Sequence, residues 1–274
     1  MKGPAGKEDS SREGIIVGLD LGSTSAKMAV YSMESERFVR FKKLPSHSYI
    51  HLYEEAREFA PVSSIYCTGY HRSAVESAGT ITEITAATVW AERYFRNASV
   101  IIDIGGQDIK VIDLINSDFR LNDKCSAGTG AFLELFASHF GVRVSHLGEL
   151  HRLSTSPADI TNTCAVFALS EVISLSVRGT PVEDIIAGLH YSFARRIASI
   201  LPPYIHSPLA ASGSDSKRKT NRKSRHLILC TGGPSLNKGL ISALEDILSF
   251  RVRVPPRPQF VNAMGAVLFN LKPS

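Results

Sequence analysis

Three strand-length apolar runs along the chain each end in a short turn that contains glycine. The first run starts at Ile15 and ends at Asp20-Leu-Gly-Ser-Thr, the second leads to Asp103-Ile-Gly-Gly-Gln, and the third runs from Leu227 to Thr231-Gly-Gly. Apolar, largely β-branched runs bounded by glycine are typical of buried strands. The pattern therefore predicts three strands with tight turns. An apolar run also follows each of the first two turns. At the second turn it predicts a hairpin, and a plain hairpin is also the simplest interpretation of the first turn taken alone.

Apolar residues at helical spacing fill much of the chain between and after these turns. They predict helices over 50–59, 82–96, 130–140, 165–178, 181–200 and 263–270. A short strand is predicted over 119–121 and another over 250–254. Strands, glycine turns and helices in this mixture indicate an α/β protein. Because the acid–glycine turn occurs twice, about eighty residues apart, we expect two duplicated subdomains that face each other across a cleft.

Composition is that of an ordinary globular protein, with 43% hydrophobic and 21% charged residues in 274. The apolar runs have strand length, so no transmembrane segment is expected. Residues 1–14 are polar and lack the apolar centre of a signal peptide. We expect them to form a disordered leader, and we expect a cytoplasmic location by default.

The net charge of +5 comes largely from one segment that is rich in Ser, Gly, Lys and Arg, residues 207–225. Nucleic-acid binding usually needs basic residues spread over a face, with aromatic or motif support. That support is absent from the sequence, so we predict a mobile, solvated insert and no nucleic-acid partner. We likewise expect no membrane partner.

The four cysteines fall into two pairs with different settings. Cys67 and Cys230 lie in apolar strand patterns, where packing in the core explains them. Cys125 and Cys164 each follow a polar stretch and lead into a helical pattern. No CxxC pair is present, which argues against a zinc site of the usual spacing. A helix N-terminus favours a thiolate, so the second pair is the candidate for chemistry.

The glycines of the second turn allow its backbone N–H groups to approach an anionic oxygen closely. Asp103, at the end of the preceding strand, could hold a metal-bound water or orient an attacking one. His71 beside Arg72 could contact a substrate or partner. However, a single histidine in such a turn is more often simply exposed.

Taken together, the three turns resemble the nucleotide signature of the superfamily of sugar kinases, actin and heat-shock ATPases. The resemblance implies an α/β fold with two ribonuclease-H-like subdomains and ATP in the cleft between them. It implies that Asp20 and Asp103 organise Mg²⁺ and the attacking water. It also implies a set of nucleotide-binding residues, namely Gly22, Ser23, Thr24, Lys27, Gly105, Gly106, Gln107, Gly128, Thr129, Gly130, Gly232 and Gly233. For Lys27, a position on the face of a helix or strand would also explain the residue, with no contact to the nucleotide.

The strings NDKCSAGTGAFLE and NTCAVFALSEVIS closely resemble the activator ATPases of 2-hydroxyacyl-CoA dehydratases. This family is shared with the ATPase subunits of benzoyl-CoA reductase, and the resemblance runs from about Ile15 to Leu271. It implies that Cys125 and Cys164 ligate one 4Fe–4S cluster shared across a homodimer. It also implies ferredoxin or flavodoxin as electron donor and an iron–sulfur dehydratase or reductase as partner.

The sequence departs from the family strings at three places. Leu169 stands where the string FAESEVI has its glutamate, although Glu171 remains, and Ala87 stands where relatives often carry a histidine. The basic insert is also longer than we expect. These departures leave the cluster ligands intact but put partner choice and cleft electrostatics in doubt.

The sequence therefore predicts an ATP-dependent electron-transfer activator. A small-molecule kinase of the same fold, with Asp103 or another acid as base, is the chief alternative, and a nucleotide or iron–sulfur sensor is another. We expect subdomain I over 15–98, subdomain II over 99–260, and a C-terminal helix over 261–274 that returns to subdomain I.

Overall fold

The computed structural model describes residues 14–123, 125–161, 164–206 and 226–271. The basic insert lies outside this range, as does all but the last residue of the predicted leader. The strands are β1 Ile15–Leu21, β2 Ser25–Ser32, β3 Arg37–Pro45, β4 Ile65–Thr68, β5 Gly79–Thr80, β6 Ala98–Ile104, β7 Ile109–Asp113, β8 Asp118–Asn122, β9 Leu227–Thr231 and β10 Val252–Arg253. The helices are α1 Tyr49–Phe59, α2 Glu83–Tyr94, α3 Gly130–His139, α4 Leu147–Leu153, α5 Ala165–Val177, α6 Val182–Ala198, α7 Pro203–His206, α8 Lys238–Leu248 and α9 Val261–Leu268.

The chain forms two compact units, one of residues 1–93 and 260–274, the other of residues 94–259. The first unit contains a five-stranded sheet in the order β3-β2-β1-β4-β5. Strands β1, β2 and β3 pair antiparallel, whereas β4 and β5 continue the sheet parallel to β1. The apolar faces of β1, β2 and β4 pack with α1 into one core.

Close backbone contact fixes α9 in the first unit. A Cβ added at Gly18 of β1 would lie 2.0 Å from the Ala263 carbonyl oxygen, and one added at Gly265 would lie 2.0 Å from the Ala86 carbonyl oxygen. Real side chains do not tolerate such distances, so glycine is required where α9 meets β1 and α2. The small residues of this helix therefore serve close packing.

The second unit contains a five-stranded sheet in the order β10-β9-β6-β7-β8, and β6 is its central strand. Here β6, β7 and β8 pair antiparallel, and β9 and β10 are parallel to β6. Helices α3, α5, α6 and α8 contribute apolar side chains to one core with β6, β7 and β9. The predicted strand over 250–254 is shorter than expected, since only two of its residues pair.

The two sheets share one topology: a three-stranded antiparallel meander followed by two parallel strands on the other side of the first strand. This arrangement confirms the prediction of an α/β fold with two ribonuclease-H-like subdomains. Within the residues described, no helix is both long and apolar enough to cross a membrane.

A buried histidine links three helices of the second unit. On α6, the Nε2 atom of His190 lies 2.9 Å from the Asn237 amide nitrogen, and its Nδ1 atom lies 3.2 Å from Nδ1 of His151 on α4. Asn237 is the N-cap of α8, because its side-chain oxygen accepts from the N–H groups of Gly239 and Leu240. The amide nitrogen can only donate, so His190 accepts at Nε2 and is neutral.

We expect this histidine to make the protein less stable in acid. Burial lowers the pKa of His190 from 6.5 to about 3, with His151 adding a smaller effect. Since the unfolded state takes up a proton near its pKa of about 6.5 and the folded state does not, unfolding becomes easier as the pH falls. Between pH 7 and pH 5 the free energy of unfolding should drop by about 2 kcal/mol from this residue.

Urea denaturation at the two pH values, for the wild type and for His190→Gln, measures this effect. The variant keeps an acceptor for the Asn237 amide but does not titrate, so its stability should differ less between pH 7 and pH 5. An equal pH dependence in both proteins would mean that His190 is not the titrating group.

Candidate functional site

The first acid–glycine turn follows β1, and its acid is buried. Asp20 is 2% exposed, and Lys27, its register partner on β2, donates to its Oδ2 at 3.0 Å. The other carboxylate oxygen, Oδ1, is buried and has no hydrogen-bond partner among the described residues. An unsatisfied buried carboxylate oxygen is costly. A magnesium ion or one of its waters would satisfy it, so the residue fits the implied cation.

Ser46, for which the sequence shows no functional signal, holds the loop Gly22-Ser23-Thr24 through two hydrogen bonds. The Ser46 N–H donates to the Thr24 carbonyl at 3.0 Å, and its hydroxyl donates to the Gly22 carbonyl at 2.7 Å. Ser23 and Thr24 are exposed. With both carbonyls engaged by Ser46, the loop is left with a fixed backbone beside Asp20, which suits a phosphate-binding turn.

The second acid–glycine turn joins β6 to β7, which confirms the predicted hairpin. Its acid, Asp103, is 3% exposed and accepts a hydrogen bond at Oδ1 from the Thr231 hydroxyl at 2.8 Å. The Gly105 N–H donates to the Asp108 carbonyl at 2.9 Å and closes the turn. Lys110 pairs with the Asp108 carboxylate at 2.6 Å. Gln107 is exposed at the tip of the turn.

The third turn, at the end of β9, reverses the chain at glycine. Gly232 has a φ of +86°, and a Cβ there would lie 2.0 Å from the Ile104 carbonyl oxygen. Gly233 has no atom within 4 Å of its Cβ position, so the space beside it is open to a ligand. A proline after a glycine turn is typical of the first turn of a helix, but Pro234 does not begin α8. It begins a separate 3₁₀ turn, and α8 starts at Lys238 because Asn237 caps it.

The second turn also caps a helix. The carbonyls of Gly105 and Gly106 accept from the backbone N–H groups of Gly130 at 2.9 Å and Ala131 at 2.8 Å, the first residues of α3. Helix N-termini leave such N–H groups without intrahelical partners, so the turn and the helix satisfy each other. A Cβ at Gly130 would lie only 3.1 Å from the Gly106 Cα. Two hydrogen bonds and one close backbone contact therefore join the turn to α3.

Gly128 and Thr129 are buried just before α3. Gly128 has a φ of +85°, and its Cβ position is 2.9 Å from the Ile109 side chain. Thr129 is fully buried, and both its N–H and its hydroxyl donate to the Ser126 carbonyl. The structure thus places these two residues in the tight turn that carries α3.

Cys125 lies at the start of that same turn, half-buried. Its polar lead-in and the helical pattern after it predicted a cysteine at a helix N-terminus, but α3 begins five residues after Cys125, with Thr129 as its N-cap. Its sulfur instead accepts from the Ala127 N–H at 3.4 Å. The side-chain amide nitrogen of Asn122 donates to the backbone carbonyls of Cys125 and Ala127, and Arg196 on α6 donates to Asn122 Oδ1. In place of the expected helix N-terminus, the Cys125 sulfur therefore has the Ala127 N–H as donor, and Asn122 and Arg196 hold its turn.

Cys164 stands at the N-cap position of α5, as predicted, and is half-buried. The first N–H groups of α5 point toward this end of the helix, where the helix dipole favours negative charge. The chain just before it is anchored to α6. The Ser192 hydroxyl donates to the Thr161 carbonyl at 2.7 Å, and Arg195 donates to the Ile160 carbonyl at 2.7 Å. Helix α6 thus supports both cysteine segments.

The other two cysteines are fully buried in strands, which confirms the prediction that they belong to the core. Cys67 lies in β4, where burial raises the pKa of its thiol to about 11. Cys230 lies in β9, and burial also raises its thiol pKa, with a smaller contribution from Asp103. Neutral buried thiols of this kind are poor metal ligands.

Two of the departures, Leu169 and Ala87, lie on helices α5 and α2. Glu171 of α5 accepts from the Thr161 N–H at 2.8 Å, so it anchors the chain ahead of Cys164. Leu169 is partly buried against the core of the second unit. Ala87 is fully buried within α2. Among the residues described, no group of three or more His, Cys, Asp or Glu side chains could hold a metal ion.

Comparison with known proteins bears on this arrangement. The model of the BadF/BadG/BcrA/BcrD ATPase family matches residues 17–270. The activating ATPase of (R)-2-hydroxyglutaryl-CoA dehydratase from Acidaminococcus fermentans is 34% identical over 271 residues, 93% of this chain and 96% of that protein. A solved structure of the activator of 2-hydroxyisocaproyl-CoA dehydratase from Clostridium difficile, with bound ADPNP, is 31% identical, with a TM-score of 0.76 and 93% of both chains covered.

A more distant structure shares the fold alone. MreB5 of Spiroplasma citri, bound to AMPPNP, is 12% identical, with a TM-score of 0.50 over 94% of this chain and 96% of the other. This likeness agrees with the actin-like architecture of two subdomains predicted from the three turns.

Proposed function

The chain belongs to the BadF/BadG/BcrA/BcrD ATPase family, and from this membership we propose that it is an ATP-hydrolysing electron-transfer activator. Membership confirms the predicted family and the prediction of an ATPase. In the proposed function, the protein passes a low-potential electron to a partner 2-hydroxyacyl-CoA dehydratase or a related acyl-CoA reductase. Three of its relatives are named as activators of dehydratases of this kind, which supports a partner of this class.

We assign each acid–glycine turn to phosphate binding and the Thr231-Gly-Gly turn to adenosine. Asp20 would hold magnesium through a water, because its Oδ1 is buried and unsatisfied. Magnesium would supply charge neutralisation at the phosphates. Asp103 orients the attacking water, since the Thr231 hydroxyl fixes one carboxylate oxygen and leaves the residue rigid. Hydrolysis depends on such positioning, because the phosphoryl group needs an aligned nucleophile more than a strong base.

We assign Cys125 and Cys164 as the two protein ligands that this chain gives to a 4Fe–4S cluster. Both cysteines are only half-buried, the Cys125 sulfur accepts from the Ala127 N–H, and Cys164 stands at the N-cap of α5. A 4Fe–4S cluster usually takes four thiolates and supplies one-electron transfer. With Cys67 and Cys230 sealed in strands, a single chain supplies half of the ligands. A twofold axis would supply the rest, which is why we propose a homodimer.

The exposed side of α5 supports a protein contact beside Cys164. Its residues include Val166, Phe167, Ile173 and Val177, which are 47–84% exposed. Large apolar side chains grouped on one exposed helix are typical of interaction surfaces. We propose that a second copy of the chain covers part of this face, because the same helix begins at a cluster ligand. The electron donor, ferredoxin or flavodoxin, stays a prediction from the resemblance.

The observation that carries the proposed function is the contact between the second turn and α3. The carbonyls of Gly105 and Gly106 cap the helix, and the turn that leads into this helix holds Cys125. A change of the turn on phosphate binding would therefore reach the cysteine through one short hydrogen-bonded segment. We propose this segment as the coupling between nucleotide and redox chemistry.

Gly130→Ala should weaken nucleotide binding, because the new Cβ would press on the second turn at 3.1 Å from the Gly106 Cα. We expect the Kd for ADPNP to rise roughly three- to tenfold, about 0.7–1.4 kcal/mol. Titration calorimetry measures it. Gly79→Ala is the matched control, since its Cβ would meet Tyr66 at an ordinary 3.6 Å. Wild-type affinity in Gly130→Ala would contradict the prediction, because the second turn would then accommodate the added Cβ with no effect on nucleotide binding.

Anaerobic purification tests the proposed function as a whole. We expect a brown homodimer with about four iron and four sulfide per dimer, and ATP turnover that a dehydratase or reductase partner stimulates. Turnover unaffected by any such partner, but stimulated by a small-molecule hydroxyl substrate, would favour the kinase.

A further inference from the structure

A tripeptide that overlaps the third turn occurs a second time in the chain, outside the nucleotide signature. Cys67-Thr68-Gly69 ends β4 as Cys230-Thr231-Gly232 ends β9. In the two sheets, Thr68 is the register partner of Asp20 and Thr231 is the register partner of Asp103, each on a parallel strand beside the acid. Paired positions on adjacent parallel strands present their side chains on the same face. Each acid therefore has a threonine beside it.

The glycines after the threonines are also equivalent. Gly69 has a φ of +94° and Gly232 a φ of +86°. A Cβ at Gly69 would lie 2.6 Å from the Leu21 carbonyl carbon, and one at Gly232 would lie 2.0 Å from the Ile104 carbonyl oxygen. In both units the glycine thus lets the chain pass close to the residue after the acid. The duplication extends to the local geometry around each acid.

The hydrogen bonding differs between the two pairs. In the second unit, the Thr231 hydroxyl donates to Asp103 at 2.8 Å. In the first unit, the Asp20 Oδ1 and the Thr68 hydroxyl are both buried, and neither has a partner among the described residues. Thr68 is 0% exposed and Asp20 is 2% exposed. Two buried, unsatisfied oxygens on residues that are register partners indicate a place for a polar group that bridges them.

We propose that Thr68 is a positioning residue which, together with Asp20, holds one water molecule of the magnesium shell. This inference rests on the proposed function. A metal-bound water has two protons to donate, so it needs two acceptors, and Asp20 Oδ1 and Thr68 Oγ1 supply them. Lys27 already occupies Asp20 Oδ2, which leaves Oδ1 as the open carboxylate oxygen. Magnesium commonly keeps several waters, so an indirect contact of this kind suits it.

The space for that water depends on Gly69. A Cβ at this position would lie 2.7 Å from Asp20 Oδ1, so any other residue would displace the carboxylate. The His71 N–H donates to the Leu21 carbonyl at 2.9 Å and ties the turn after Gly69 to the end of β1. The turn of exposed Tyr70 and partly buried His71 therefore has a structural function in holding Thr68 beside Asp20.

The test compares magnesium dependence in Thr68→Val and Thr68→Ser. ADPNP binding is measured by titration calorimetry at a series of magnesium concentrations and in EDTA. In Thr68→Val, the magnesium concentration at half effect should rise about tenfold, while affinity in EDTA stays within about twofold. Thr68→Ser keeps the hydroxyl and should stay close to wild type. Unchanged magnesium dependence in Thr68→Val would overturn the inference.

Thermal melting without magnesium or nucleotide gives a second readout, with opposite signs at the two threonines. Thr68→Val removes an unsatisfied hydroxyl, so Tm should stay the same or rise. Thr231→Val removes a satisfied one and should lower Tm by about 2–4 °C or more. A clear fall of Tm in Thr68→Val would mean that the hydroxyl is already bonded, against the inference.

Failure of the proposed function gives a different result. If wild-type protein binds ADPNP equally with magnesium and in EDTA, the magnesium role assigned to Asp20 fails, and Thr68 fails with it. If wild type depends on magnesium and Thr68→Val depends on it equally, only the role of Thr68 is wrong.

Discussion

Replacing either Cys125 or Cys164 with alanine should remove the visible iron–sulfur absorption of the anaerobically purified protein. Each chain offers two half-buried cysteines, and in a dimer each substitution removes two of four thiolates. We therefore expect iron to fall from about two atoms per chain to near zero in both variants. The loss should be specific, because neither side chain belongs to the fully buried core.

The matched controls are Cys67→Ala and Cys230→Ala. Both thiols are fully buried in central parts of their sheets, so these variants should keep the absorption even if they lose some stability. Circular dichroism separates loss of cluster from loss of fold. If Cys125→Ala and Cys164→Ala retain full iron content, the ligand assignment is wrong.

Asp103→Asn should slow ATP hydrolysis while leaving nucleotide binding largely intact. The amide is nearly isosteric and can still accept from the Thr231 hydroxyl, so the β6–β9 pairing should persist. It has lost the negative charge that would orient the attacking water. We expect turnover to fall at least about tenfold, which corresponds to about 1.4 kcal/mol of barrier.

Single-turnover hydrolysis and ADPNP calorimetry on the same preparations measure the two effects separately. Asp159→Asn is the control. This aspartate is fully exposed, and its ion pair with Arg195, at 3.9 Å, should contribute little to stability. Wild-type turnover in Asp103→Asn would remove Asp103 from the mechanism.

Most of the fold could be predicted from the sequence because its elements follow strong local patterns. The apolar runs at β1, β6 and β9 and the helical spacing of α3 and α6 are long enough to identify their elements. Helix boundaries that are set by side-chain capping were harder to predict from the sequence. Nothing in the periodicity shows that Asn237 rather than Pro234 sets the start of α8, because that depends on a hydrogen bond to the buried His190.

The geometry around Cys125 illustrates a second limit. The sequence shows a cysteine followed by small residues and then a helical pattern, but the helix start depends on a carbonyl of the distant second turn. Asn122 and Arg196, which support the cysteine turn, are separated by 74 positions. Such contacts between distant segments leave no periodic signal. The repeated Cys-Thr-Gly tripeptide was visible in the sequence, but only strand register relates its threonines to the two acids.

The rate at which a chelator removes iron from the anaerobic protein tests most directly whether nucleotide controls the cysteine site. The measurement compares protein without nucleotide, with ADP and with ADPNP. The contact of Gly105 and Gly106 with α3 predicts that ADPNP changes the rate severalfold relative to ADP, and that Gly130→Ala weakens this difference. Equal rates in all three nucleotide states of the wild type would contradict the coupling that we propose.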